Sequence, residues 1–148
     1  MTSPINIHAT EQIKYKLLLI KPKSKNRENK CGFEPIELGV IAALTPKDLW
    51  DIEIVDETWD EIPYKNSYHL IGITATTTTV IQAYEISLNF RKQGIPTVMG
   101  GYHVSAEPEE ALLYCDCVVI GLAEGNWVEL LIDFQNNELK KSIILLIV

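Results

Sequence analysis

The apolar positions of this chain fall into short blocks of two kinds, continuous runs and sets spaced three and four residues apart. Residues 16–20 (Lys-Leu-Leu-Leu-Ile), 70–74 and 117–120 are continuous runs, the pattern of strands covered on both faces. Residues 52–55 alternate around Glu53 and predict a second strand that ends at Asp56-Glu57. Residues 95–99, restarting after Gly94, predict the fourth strand. Helical spacing predicts a helix over 35–44 with Ile36, Val40, Ala43 and Leu44 on one face. Another is predicted over 79–93 with Val80, Ala83, Tyr84, Ser87 and Leu88 together. A third opens at Pro108-Glu109-Glu110, where a first turn accepts proline and negative charge, and Trp127, Leu130, Leu131 and Phe134 mark the last. Strands alternating with helices predict an α/β fold, a three-layer α/β/α arrangement on a flavodoxin/Rossmann-like five-stranded parallel sheet of order 2-1-3-4-5. The topological switch then lies between strands one and three. A pocket there is walled by the loop from Lys21, by residues 74–79 and by Gly100-Gly101.

Each of those loops has a plain reading beside a chemical one. Gly100-Gly101 at the carboxyl end of the fourth strand is either a tight strand-to-helix turn or a backbone that a bulky ligand approaches closely. Thr74, Thr76, Thr77, Thr78 and Thr79 surround Ala75. One threonine caps a helix through its side-chain oxygen, and five in six positions suit a polar pocket wall. Residues 21–30 hold five of the thirteen basic residues and one acid, Glu28. They form either a solvated loop or a cationic flap over an anionic group. Asp56-Glu57 are a solvated strand end or a ribose-hydroxyl clamp. Gly121, Leu122, Ala123, Glu124 and Gly125 make the fifth carboxyl-edge loop.

Composition narrows the function classes. With 148 residues the chain is of single-domain length, and a net charge of −7 argues against a nucleic-acid partner, whose phosphates need a basic face. Cys31, Cys115 and Cys117 give neither a disulfide framework nor a zinc spacing, which favours a reduced, cytoplasmic setting. Residues 1–12 lack the pattern of a signal peptide, and the apolar run 143–148 is far shorter than the ~20 residues of a membrane span. The organisation expected is a polar extension (1–14), a ligand-binding domain (15–141) and an apolar tail (142–148).

Among nucleotide folds, a dinucleotide site needs G-x-G-x-x-G after the first strand, where this chain has Lys21-Pro22-Lys23-Ser24. A flavodoxin keeps its hydroxyl-rich phosphate loop there too, whereas this chain places its threonines after strand three. A receiver domain needs an aspartate where Thr74 stands. What the chain has is Gly72-Ile73-Thr74 with its threonines, then Arg91-Lys92-Gln93-Gly94-Ile95-Pro96-Thr97-Val98-Met99-Gly100-Gly101-Tyr102-His103. Pro108-Glu109-Glu110-Ala111 and Val118-Val119-Ile120-Gly121 follow in order. This succession, over about residues 16–140, resembles the cobalamin-binding domain of cobalamin-dependent radical SAM enzymes.

The resemblance implies a corrinoid over the carboxyl edge of the sheet with its nucleotide tail directed into the fold. Thr74, Ala75, Thr76 and Thr77 would line the cleft for the tail, Gly100 and Gly101 would let it pass close to the backbone, and Gly121, Ala123, Glu124 and Gly125 would border the other side. Tyr102 and His103 would lie beside the corrin. Three departures shape the expectation. The Asp-x-His-x-x-Gly motif that supplies a lower axial histidine in methionine-synthase-like proteins is absent, as it commonly is in the radical SAM branch. His103 is read as hydrogen-bonded structure, and no residue is assigned as a metal ligand. Position 122 is Leu where relatives often carry glutamate. The C-x-x-x-C-x-x-C motif is missing, so no iron–sulfur cluster is expected in this chain, and it is not expected to be catalytic alone. The resulting expectation is a cobalamin-binding module for a radical SAM partner, in trans or missing downstream, serving methyl transfer or related radical chemistry. Its tail is a truncation product, an extra strand or a surface for self-association. The alternatives are a flavodoxin-like interaction or regulatory domain without cofactor, and a flavin-nucleotide-binding electron carrier.

Overall fold

The computed structural model describes residues 14–25 and 34–144. Cys31, most of residues 1–14, the basic loop beyond Lys25 and tail residues 145–148 lie outside the described residues. The elements in chain order are β1 (Tyr15–Lys21), α1 (Ile36–Leu44), β2 (Trp50–Asp56), β3 (Leu70–Thr74), α2 (Val80–Lys92) and β4 (Thr97–Gly100). They continue with α3 (Tyr102–Ala106), α4 (Pro108–Ala111), β5 (Cys117–Ile120), a 3-10 turn (Ala123–Gly125), α5 (Trp127–Gln135) and β6 (Ser142–Ile144).

The sheet is parallel with the order β2-β1-β3-β4-β5-β6, so the expected five-strand order holds and gains one strand. That strand comes from the start of the apolar tail. Pairing it beside β5 satisfies strand amides that would otherwise face outward, as in the bond from Val118 N–H to the Lys141 carbonyl (2.9 Å).

Side-chain alternation sorts the strands onto two helical layers. Leu18, Ile20, Ile71, Ile73, Met99 and Val118 pack with residues of α2 to α4, among them Ala83, Ile86, Phe90, Val104 and Ala111. Leu17, Leu19, Leu70, Val98, Cys117 and Val119 pack on the opposite face with α1 and α5 through Leu38, Ile41, Trp127, Leu130 and Leu131. Three helical expectations need correction. In α1 the buried residues are Leu38 and Ile41, whereas Ile36, Val40 and Leu44 are exposed. That helix is apolar nearly all round, so its spacing does not single out a face. In α2 the buried set includes Ile86 and Phe90, and Leu88 is only half-buried. The threonine cluster does not cap α2 through a side chain. Thr79 sits at the N-cap in the helical rather than extended region, and its Oγ1 instead accepts from Thr76 N–H (3.0 Å).

Candidate cofactor site

The site is best built from one row of the sheet. Leu19, Gly72, Val98 and Cys117 are register partners across β1, β3, β4 and β5, and they belong to the face covered by α1 and α5. The next row on that face carries Thr74 opposite Gly100. Two side chains are therefore missing on a diagonal, at Gly72 and at Gly100. A Cβ on Gly72 would stand 2.7 Å from Leu19 Cδ2 and 3.8 Å from the Trp127 ring, while one on Gly100 would meet Val119 only at 3.7 Å. Both glycines line a cleft of about 130 Å³ at the carboxyl edge, next to the switch between β1 and β3.

Its inner wall is apolar: Leu19, Leu38, Ile41, Val98, Val119 and Trp127. The far end is closed by a buried hydrogen bond in which the Trp127 indole N–H donates to Thr45 Oγ1 (2.8 Å), whose own hydroxyl donates to the Ile41 carbonyl (2.8 Å). The polar side chains lie at the mouth. Glu37 stands in the first turn of α1, Thr74 ends β3, and Glu124 sits in the 3-10 turn.

Of the residues the sequence singled out, Thr74, Gly100, Gly101, Gly121, Ala123 and Glu124 line this cleft. Ala75, Thr76, Thr77, Tyr102, His103 and Gly125 are not among its lining residues. Ala75 is buried, and its amide donates to the Gly100 carbonyl (2.9 Å), while Thr76 and Thr77 stand exposed on the rim. Tyr102 is almost wholly exposed at the start of α3. The His103 ring packs toward α4 and α2, with Nε2 3.2 Å from Glu110 Oε1, which also accepts from the Tyr84 hydroxyl (2.7 Å). Those two partners, Tyr84 first, hold the Glu110 carboxyl below its ordinary range, while burial and the Glu110 charge push the Tyr84 phenol up.

Gly101 has a different reason from Gly100. At φ 106° and ψ −179° it adopts a backbone shape almost reserved for glycine, and a Cβ there would lie 2.6 Å from the Ala75 carbonyl oxygen. Its lost side chain makes room for the β3–α2 connection, while Gly101 also lines the cleft. The basic loop is likewise tied down as far as it is described. Lys21 pairs with Asp56 (3.1 Å), the Lys23 amide donates to Glu57 (3.0 Å) and Lys25 pairs with Glu85 (2.5 Å). Burial opposes ionisation of Asp56, yet the Thr58 amide and Lys21 keep its carboxyl below the usual range.

Sequence reasoning missed Leu19, Glu37, Leu38, Ile41, Gly72, Val98, Val119 and Trp127 as cleft residues. The available signal was Gly72, a glycine inside a strand of otherwise bulky residues. Cys115 and Cys117 are buried, and burial pushes both thiols up to about 12. Among the described residues no cluster of His, Cys, Asp or Glu is arranged to hold a metal ion, and no helix is long and apolar enough to cross a membrane.

Comparison with known proteins bears on this geometry. The B12 binding domain family matches residues 32–131. A bacteriochlorophyllide d C-8(2)-methyltransferase of Chlorobaculum tepidum is 47% identical over 105 residues, covering 70% of this chain and 23% of that protein. The bacteriochlorophyllide d C-12(1)-methyltransferase of the same organism is 33% identical over 137 residues, 89% of this chain and 30% of its own length. The chain thus spans less than a third of either relative. In structure it is similar to the N-terminal domain of a hypothetical protein from Thermotoga maritima, with a TM-score of 0.51 at 18% identity over 80% of this chain and 92% of that one. The parallel sheet, the cleft at its switch point and a family match over most of the chain converge, and the protein belongs to the B12-binding domain family.

Proposed function

We propose that this chain holds cobalamin for a radical SAM catalytic partner, within one longer polypeptide or in trans, and that the assembly transfers methyl groups. The observation that carries the reading is the apolar cleft lined by Gly72 and Gly100 at the carboxyl edge of the sheet. Its volume of about 130 Å³ is close to the roughly 150 Å³ of an apolar cavity that stays dry and takes up benzene, so an aromatic ring fits with its polar attachments toward the mouth. Leu19, Val98, Val119 and Trp127 would bind such a ring by excluding water from it. Thr74, Glu37 and Glu124 would accept or exchange hydrogen bonds at the mouth. Gly121, Ala123 and Gly125 would keep the fifth loop low enough for a corrin to lie across the edge, with Thr76, Thr77, Tyr102 and His103 on its other side. Cobalamin, when bound, supplies the methyl-transfer chemistry, and this chain's own residues bind and orient it.

The two methyltransferases that resemble this chain are named for bacteriochlorophyllide d. We extend the reading to a partner that methylates a substituent of a chlorophyll-type macrocycle. Buried free thiols at Cys115 and Cys117 suit a reduced, cytoplasmic setting. The test is to mix the purified chain with hydroxocobalamin, desalt it and record the visible spectrum. Retained corrinoid absorbance at micromolar protein is expected. Its absence would favour the cofactor-free interaction domain instead, and a histidine-ligated spectrum would reassign His103.

A further inference from the structure

Helix α1 carries a single polar side chain, Glu37, and that one stands at the cleft mouth. Leu38 and Ile41 face the sheet, while Ile36, Val40 and Leu44 point away from it, Ile36 with 72% of its surface exposed. Gly39 and Ala43 are exposed among them. Helix α2, on the other layer, behaves differently: Glu85, Asn89 and Lys92 occupy its exposed positions beside Ile81. A helix that is apolar all round is normally covered all round, and a contiguous exposed apolar patch marks a contact surface. Neighbouring α5, which packs against α1, extends the patch with the exposed Val128 and Ile132. Gly39 lets another backbone come close. A Cβ there would meet nothing within 4 Å, so no neighbouring element of this chain requires glycine at a position where it weakens the helix.

We propose that the outer face of α1, flanked by α5, docks a second copy of this chain, the two α1 helices crossing antiparallel on a two-fold axis at Val40. The inference is independent of the cofactor reading. Two features favour a copy of the same chain. The large outward side chains stand at 36, 40 and 44 and read alike from either end, so Ile36 of one copy meets Leu44 of the other and Val40 meets its own counterpart, as an isologous contact requires. Charge matches as well. Glu34 just before the helix and Lys47 just after it are exposed, and among the described residues neither is ion-paired. The antiparallel crossing brings Glu34 of one copy toward Lys47 of the other and sets the two helix dipoles head to tail. Helices of nine residues are about 14 Å long and about 10 Å across, so α1 and α5 side by side offer a planar footprint of roughly 300 Å². Standard interfaces take about 800 Å² from each partner. The dimer is therefore weak and reversible, with a dissociation constant on the order of 10–100 µM.

Sedimentation velocity of the 148-residue chain from about 1 to about 300 µM is expected to show the mass rising reversibly from that of one chain toward that of two. Val40→Glu sets two like charges at the axis and is expected to weaken the dimer at least about tenfold, with the circular dichroism spectrum unchanged. Glu34→Lys and Lys47→Glu are each expected to weaken it a few-fold and their combination to restore it, a rescue that a fold defect does not produce. In a Cys31→Ser background, Val40→Cys is expected to form an interchain disulfide under mild oxidation, whereas Ile81→Cys, on the exposed side of the opposite layer, is not. A chain that stays monomeric throughout the range would overturn the proposal and leave the face to another occupant. A dimer that Val40→Glu leaves intact, as one joined through the apolar tail would be, would overturn the placement on α1. Equal cross-linking from positions 40 and 81, or charge reversals that add without rescue, would overturn the antiparallel two-fold geometry.

Discussion

The two adjacent glycines at the end of β4 look interchangeable in the sequence, and the structure separates them. Gly101→Ala must place a methyl group 2.6 Å from the Ala75 carbonyl oxygen and 2.9 Å from the Ala75 amide nitrogen, while holding a backbone at φ 106° and ψ −179°. The backbone strain alone costs roughly 1–3 kcal/mol. The overlap adds about 1–3 kcal/mol, because its partners are main-chain atoms that move only with β3. The Ala75 amide and carbonyl are also tied to the Gly100 carbonyl and the His103 amide, so the strand end cannot retreat cheaply. A total of about 2–6 kcal/mol is a large fraction of the roughly 5–15 kcal/mol that holds a domain folded. At about 3 °C per kcal/mol for a chain of this size, the midpoint should fall by roughly 6–18 °C. Gly100→Ala meets nothing closer than 3.7 Å and should stay within about 0.5 kcal/mol of wild type, yet it adds a methyl group to the cleft wall and should weaken corrinoid retention. Urea unfolding of both variants, followed by tryptophan fluorescence, provides the measurement. If Gly101→Ala is as stable as Gly100→Ala, the argument from backbone crowding is wrong.

Other consequences follow from buried groups. Thr45→Val removes the acceptor of the Trp127 indole and leaves a buried N–H unpaired, so it should cost about 1–3 kcal/mol in urea unfolding; a neutral result would mean that water reaches the indole. In a Cys31→Ser background, Cys115 and Cys117 should resist a disulfide reagent at pH 8, since both are buried and their thiols are raised to about 12, and should react fully in denaturant. Rapid native labelling would refute that. The Asp56 carboxyl is lowered in the folded state, so its stabilisation is present above the unfolded-state value and lost as pH falls through the folded one. The destabilisation caused by Asp56→Asn should therefore be full at pH 7 and fade as pH falls below 3.8 and through the lower folded-state value, and a cost independent of pH would exclude the coupling to Lys21 and Thr58.

The strands were legible because a parallel strand buried on both faces must be apolar at successive positions, and 16–20, 70–74 and 117–120 are. Helix α5 was legible because Trp127, Leu130 and Leu131 recur at spacings of three and four, with the exposed Glu129 on the opposite side. Helix α1 offered no such contrast, and packing on Leu19 and Trp50 chose Leu38 and Ile41 in its place. The short helix α3 was missed because a strand-ending glycine pair normally reads as a turn, while Gly101 in its extended positive-φ shape leads directly into a helical turn. Of the threonine cluster, expected to wall the cleft, only Thr74 is among its lining residues, and the capping role was misread. Its hydroxyls bond to one another, Thr76 with Thr78 and Thr79, rather than to the first turn of α2.

Which face of the sheet carries the cleft comes down to the parity of a single position. Gly72 shares its row with Leu19 and Val98, beneath α1 and α5, whereas the flanking Ile71 and Ile73 point to the other face, where Ile20, Met99 and Val118 fill the layer under α2. A glycine one residue earlier or later would have fallen in the layer beneath α2, which holds the Tyr84–Glu110–His103 chain of hydrogen bonds. The side facing α1 and α5 places Glu37, in the first turn of α1, and Glu124, in the 3-10 turn, on the wall of the same cleft. The parity of this one position therefore sets which layer the missing side chain belongs to, because a Cβ at Gly72 would meet Leu19 Cδ2 at 2.7 Å in the layer under α1 and α5. Here that layer ends in Trp127, whose ring stops 3.8 Å short of where a Gly72 Cβ would stand.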